Sequence, residues 1–471
     1  MTMRALFLST AGAAALATLA FTAQGRASEV DAPPVLAPVG LERAVSPQTY
    51  LTLLASSDTG EINQALAEIE AAYTPALATQ LVEVAILSGT SRAERGVIDI
   101  LERRTGETFG GDYRAWFKWI WAQPEAITAD YAEFKADLYS IIDPRFAGYF
   151  SNRQDTARIR LDEIRWGGVV QDGIPPLRGP DMIAAADADY LADDNIVFGI
   201  EINGDARAYP KRILAWHEMF VDEVGGEKIA GVYCTLCGTV IPYKTEVNGV
   251  NHELGTSGFL YRSNKLMYDA ATQSLWNTIK GEPVVGPLVD RGIKLEHLSV
   301  VTTTWGEWKR RHPDTQVLSL ETGHRRDYGE GVAYQDYFAT DQLMFQTPFD
   351  DTRLKNKQEV VALRFAASPG QQLAIDTAFL EDNPIYADRI GAQKLVVLTD
   401  ASGANRVYDP KEVEFVDYDR DSTLTDAEGV TWTLDEQLLT AEDGRTLERL
   451  PYHRAFWFGW HATFPETRLV K

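Results

Sequence analysis

Basic residues are the minority among the charges of this chain. Its 471 residues hold 45 Lys and Arg against 68 Asp and Glu, a formal net charge of −23. Nucleic acids and anionic lipid surfaces both select a basic face, so neither is expected as a partner. Motifs are missing too. There is no phosphate-cradling glycine loop, no Gly-x-Ser-x-Gly elbow and no His-Glu-x-x-His helix, so nothing points to nucleotide phosphates, serine-hydrolase chemistry or zinc-protease chemistry. Beyond the N-terminal region no stretch is long and apolar enough to span a bilayer.

Cysteine is scarcer still. The chain has two, three positions apart in Val232-Tyr233-Cys234-Thr235-Leu236-Cys237-Gly238, directly after a run that reads as a strand. Two thiols at that spacing can share a metal ion, close a short disulfide or exchange electrons with another thiol pair.

What is present at the N-terminus bears on the choice. The stretch MTMRALFLSTAGAAALATLAFTAQGRAS carries one early positive charge at Arg4, an apolar core from Ala5 to Phe21, and small residues Gly25 and Ala27 before Ser28. This layout predicts a secretory signal peptide over residues 1–27, and hence an exported protein, periplasmic or extracellular. The alternative is an uncleaved anchor. No cysteine follows the apolar core, which excludes a lipoprotein anchor there. Exported compartments oxidise thiols, so a close pair ends as a disulfide unless a metal holds it reduced.

A Pro-rich linker, Ala32 to Pro47, leads into a stretch whose apolar residues recur every three or four positions, predicting an α-helical module over residues 46–150 that is repeat-like without a clean period. From residue 158 to 471 the pattern is β-rich. Asn203-Gly204 and Asn248-Gly249 each join two short apolar runs, the strongest short-range hairpin signal. The aromatic tail Tyr452-His453-Arg454-Ala455-Phe456-Trp457-Phe458-Gly459-Trp460 is expected to pack back on the core. The fold class read from this is α+β, a helical module followed by a large β-rich domain.

Donors near the cysteines sharpen the metal reading. His217 closes a short helical run before the cysteine strand, and Met267 lies in a later strand, with His252 a weaker candidate on a hairpin arm. Cys234, Cys237, His217 and Met267 form a soft donor set suited to copper, especially Cu(I); without Met267 the set suits zinc. Glu218 and Asp222 stand near His217 as groups able to orient its imidazole. Two other places carry weaker signals. The segment Glu321 to Gly329, with His324, Arg325 and Arg326, offers donors for a carboxylate but reads more simply as a solvated loop. Asp417, Asp419 and Asp421 alternate before Glu428, as calcium ligands do, although Ser422 stands where the sharp turn of a calcium loop wants Gly.

A series of spaced motifs resembles an uncharacterised family of exported prokaryotic proteins, domain of unknown function 3179. They are Asp172-Gly173-Ile174-Pro175-Pro176, His217-Glu218, Tyr233-Cys234-Thr235-Leu236-Cys237, Ser257-Gly258-Phe259-Leu260-Tyr261, Met267-Tyr268-Asp269, Ser274-Leu275-Trp276 and His312-Pro313-Asp314-Thr315, within a family core of residues 161–365. Thr235 replaces the usual proline between the cysteines, and Ala270 replaces the usual arginine after Met267-Tyr268-Asp269. The resemblance implies no settled activity. From the residues themselves, the expected function is an exported soft-metal protein, for electron transfer or copper handling, with a redox or metal-donor protein as partner. The alternatives are a thiol-disulfide oxidoreductase and a non-catalytic scaffold stapled by a disulfide.

Overall fold

Helices begin where the sequence supplies caps. Ser46, Asp58, Thr90 and Asp112 each accept a hydrogen bond from a first-turn amide, opening the helices Pro47–Ala55, Thr59–Ala72, Ser91–Thr105 and Tyr113–Trp121. Such caps satisfy amides that have no intrahelical partner. Gly106, with φ at 79°, ends the third of these runs in the left-handed conformation that glycine adopts without steric cost. The computed structural model describes residues 43–123 and 127–471. The expected signal peptide, residues 1–27, lies outside them.

The helices do not stand alone. Glu83, on the helix Leu77–Leu87, is buried and accepts from Lys135 Nζ at 2.9 and 3.0 Å, from Tyr139 Oη at 2.6 Å and from Tyr131 Oη. Lys135, on the helix Tyr131–Ser140, donates its remaining proton to the Ile164 carbonyl at 2.8 Å. Every donor and acceptor of the buried pair is thus used, and the lysine ties two helices to the first strand. Apolar contact follows the same line, because Leu81, Phe134 and Tyr139 share one core with Phe259, Leu266 and Leu275 of the sheet beneath.

That sheet has five antiparallel strands in the order Ile164–Trp166, Leu254–Tyr261, Asn264–Asp269, Leu275–Asn277 and Glu282–Val285. A four-stranded sheet holds Leu177–Arg178, Met219–Val224, Glu227–Cys234 and Thr239–Lys244. A third, five-stranded sheet contains the hairpin Ile196–Ile202/Asp205–Pro210. Its turn residues Asn203 and Gly204 have φ of 52° and 82°, and Asn248 and Gly249 have 52° and 76°. Two consecutive positive φ values define the turn that matches strand twist, which is why Asn-Gly marks it. Three further sheets fill residues 359–470, where the helix Trp457–Thr463 precedes the last strand, Arg468–Val470. Helices lie mostly N-terminal and sheets C-terminal, so the fold is α+β.

Candidate functional site

The cysteines sit where two strands meet. Cys234 is the last residue of Glu227–Cys234 and pairs with Thr239, the first of Thr239–Lys244; Thr235–Cys237 form one tight 3₁₀ turn between them. Gly238 closes the turn at φ 57°, and a side chain there would meet the Phe456 ring at 2.7 Å. The chain reverses over four residues and both sulfurs turn to the same side. Sγ of Cys234 stands 3.0 Å from Sγ of Cys237, both thiols are free, and both are buried.

Their surroundings differ. Cys234 donates to the Cys237 sulfur, and Cys237 donates to the Ser263 carbonyl at 3.3 Å. Burial pushes the Cys237 thiol well above the ordinary range, and the neighbouring Cys234 adds to the rise. At Cys234 burial acts in the same direction, but the hydrogen bond shared with Cys237, the Lys265 amide and the Lys265 ammonium outweigh it and hold the thiol below its usual value. Once Cys234 is ionised, the Cys237 proton is the nearest donor to its sulfur.

Lys265 is itself buried. Its Nζ donates to the Glu218 carbonyl at 2.5 Å and lies 3.5 Å from Glu218 Oε2. Burial lowers the lysine while Glu218 and Cys234 pull it back up. Glu218 ends the helix Lys211–His217 in the left-handed region, φ 56°, which turns its carbonyl to accept from both Tyr233 N, at 2.9 Å, and Lys265. A non-glycine residue held there marks a conformation that its surroundings impose. Aromatic rings complete the cover: Tyr337, Phe456 and Phe458 pack with Leu236 and Leu260 around the thiols. Tyr337 Oη donates to the Leu236 carbonyl at 2.7 Å, and Tyr334 Oη to Glu218 Oε1 at 3.4 Å.

The structure brings Cys234 and Cys237 together and engages the other expected donors elsewhere. His217 Nδ1 lies 2.9 Å from the Pro175 carbonyl, so Nδ1 carries the proton, and Nε2 accepts from Tyr328 Oη at 2.6 Å. Burial, with help from His324 and Arg326, drops this imidazole to a pKa of about 4 against the Pro175 bond, leaving it neutral. Met267 faces Thr256 and Trp276 across its strand and packs with Leu254 and Trp276, in a cluster separate from the cysteines. His252 Nδ1 pairs with Asp269 Oδ2 at 3.0 Å. Asp222 takes hydrogen bonds from Arg207 and Tyr209. Among the described residues no group of three or more His, Cys, Asp or Glu is arranged to hold a metal ion.

The weaker signals resolve into local structure. In the segment Glu321 to Gly329, Tyr328 Oη bonds Thr322 Oγ1 at 2.6 Å as well as His217. In the acidic turn, Asp419 accepts the amides of Asp421 and Thr423, and Asp421 pairs with Arg310 and Arg311. Asp426 accepts the amides of Glu428 and Val430 and the Trp432 indole.

Lys265 and Tyr337 are site residues that sequence patterning does not single out, and Glu218, expected to orient His217, engages Lys265. For Lys265 there is a signal in retrospect: a lysine directly before the apolar run Leu266-Met267-Tyr268, in the strand Asn264–Asp269, all six positions of which are buried. Tyr337 has none, since a one-turn helix far along the chain delivers it.

Comparison with known proteins agrees with the motifs. No curated protein and no solved structure matches the chain. The family model described as Protein of unknown function (DUF3179) matches residues 171–467, reaching well past Phe365 to take in the tail that packs on the thiols. The match covers more than half of the sequence, and the chain belongs to that family.

Proposed function

We propose that the protein is a thiol-disulfide oxidoreductase whose reactive pair is Cys234 and Cys237. The observation that carries this reading is two free sulfurs 3.0 Å apart with opposite acidity shifts, Cys234 down and Cys237 up. That is the division of labour exchange requires: one thiolate to attack, one protonated thiol to resolve. The attacking Cys234 thiolate forms a bond to one sulfur of a partner disulfide and breaks it, releasing one partner thiolate. Cys237 gives its proton to that thiolate and attacks Cys234 Sγ. The Cys234–Cys237 disulfide forms, the second partner thiolate leaves and takes up a proton from solvent, and two electrons have passed to the partner. In reverse the pair oxidises a dithiol. Lys265 offsets the charge on Cys234, and Glu218 fixes the lysine. Export, as the N-terminal stretch suggests, would put the pair in an oxidising compartment.

A second reading keeps copper. A two-sulfur Cu(I) centre carries one net negative charge, and Lys265 lies beside the sulfurs to balance it. Zinc would need further N or S donors, and His217 has both nitrogens engaged.

An aromatic disulfide reagent, 5,5′-dithiobis(2-nitrobenzoate), tests exchange. The reduced protein should release two thionitrobenzoate ions per chain and end as a disulfide. Cys237→Ser should release one and retain the other as a stable mixed disulfide on Cys234. A Cys237→Ser chain that holds no mixed disulfide overturns the reading; tight stoichiometric Cu(I) in an anaerobic titration of such a chain's parent would then favour the copper alternative.

A further inference from the structure

A reactive pair must be reached, and Cys234 and Cys237 are 2 % and 0 % exposed. What lies over them is unusual. Between the strands Gln316–Leu318 and Glu359–Arg364 the whole stretch 319–358 holds one helical turn, Gln335–Phe338, and no strand. Connections longer than about 15 residues are uncommon in compact domains and, when ordered, commonly serve as site covers.

Its attachments are of two kinds. At the ends the backbone is tied to the rest of the protein: Ser319 N to the Asp181 carbonyl at 2.8 Å, and the carbonyls of Asn356 and Gln358 to Phe458 N and Trp457 N at 3.0 and 2.8 Å. Between those points the ties to the rest of the protein run through side chains. Tyr337 reaches Leu236, Tyr334 reaches Glu218, and Tyr328 reaches His217. On the other side, Arg114 of the helix Tyr113–Trp121 donates to the Leu343 carbonyl at 3.1 Å, and Lys118 pairs with Asp350. Lys357 closes the helical turn on itself, donating to the carbonyls of Tyr337 and Thr340 with its ammonium 3.4 Å from the Tyr337 ring centre. Arg212 and Trp216 also donate to the carbonyls of Tyr328 and Asp327, and Trp457 and His461 engage Asp351. A segment secured by backbone at two hinges and by side-chain bonds alone between them opens at lower cost than a strand in a ladder.

We infer that residues 319–358 form a lid over the thiol pair, opening about its two backbone-tied ends and latched on its outer side by the helical module. The lid rests on the exchange reading for its purpose, because a dithiol sealed for good could not meet a partner. Opening would lift Tyr337 off the cysteine turn and Tyr328 off His217 together, so one motion uncovers both.

Alkylation of the reduced full chain by iodoacetamide, followed by mass spectrometry, measures access without any redox step. Tyr337→Phe removes the bond to Leu236 and should speed alkylation roughly five- to tenfold. Tyr50→Phe removes a comparable buried hydroxyl bond, to Gln80 at 2.5 Å in the helical module, and should leave the rate unchanged. An unchanged rate in Tyr337→Phe, or equal acceleration in both variants, would overturn the lid. Exchange could fail while this rate difference stands, and the reverse, so the two proposals fall separately.

Discussion

Lys265 reaches Cys234 by its backbone and Glu218 by its side chain: the amide hydrogen-bonds the sulfur while Nζ donates to the Glu218 carbonyl at 2.5 Å. One residue thereby couples the thiol's acidity to the end of the helix Lys211–His217. The buried lysine lowers Cys234, and the buried glutamate raises it.

Opposite substitutions should therefore move the thiol in opposite directions. Lys265→Met removes a positive charge, so the midpoint of the alkylation rate against pH should rise for Cys234. Glu218→Gln removes a negative charge and should lower it. Both midpoints come from the same iodoacetamide assay on reduced protein, and a shift of the same sign in both variants would contradict the assignment.

Thr235, where the resemblance leads one to expect proline, stands at the first position of the 3₁₀ turn, where the amide hydrogen has no role in the turn's own bonding. Thr235 Oγ1 is also buried without a hydrogen-bond partner among the described residues. Thr235→Pro should raise stability by about 0.4–1 kcal/mol, read as an increase in the urea midpoint at constant slope.

Acid should weaken the fold through its histidines before its carboxylates titrate. Burial lowers His217 to about 4 and His453 to about 3, both below the ordinary value of 6.5. A histidine depressed in the folded state is protonated first in the unfolded chain. Its contribution is therefore whole above the unfolded pKa and is lost as pH falls toward the folded one. Each should cost about 2 kcal/mol between roughly pH 7 and pH 5. Urea midpoints across that window should fall in the parent and fall less in His217→Asn.

In the helical module, Lys135→Met strands the buried Glu83 carboxylate with two tyrosine donors and no cation. We expect a loss of about 3–5 kcal/mol, with much of it recovered when Glu83→Gln is added. Thermal melts of the parent, single and double variants supply the comparison.

Local chemistry is legible in this sequence and distant chemistry is not. The Asn203-Gly204 and Asn248-Gly249 turns are encoded in adjacent residues, as is the thiol pair, because each depends on the backbone within four or five positions. The packing of the aromatic tail follows from its composition. His217 is different: its two partners, Pro175 and Tyr328, lie 42 and 111 residues away, and nothing in the spacing of His217, Cys234 and Met267 tells that they occupy its ring. Lys265 is hidden for a related reason. A lysine in a strand reads as a solvent-facing residue until the helix end that holds Glu218 is placed over it.

The central claim is that Cys234 and Cys237 exchange two electrons with a disulfide. Equilibrating the protein with graded dithiothreitol buffers, then trapping and counting free thiols by mass, tests it most directly. The account predicts one two-electron transition, abolished in Cys234→Ser, with a midpoint more oxidising than about −300 mV, the region of structural disulfides. Thiols that stay reduced across the whole range, or a disulfide that resists every buffer, would contradict it.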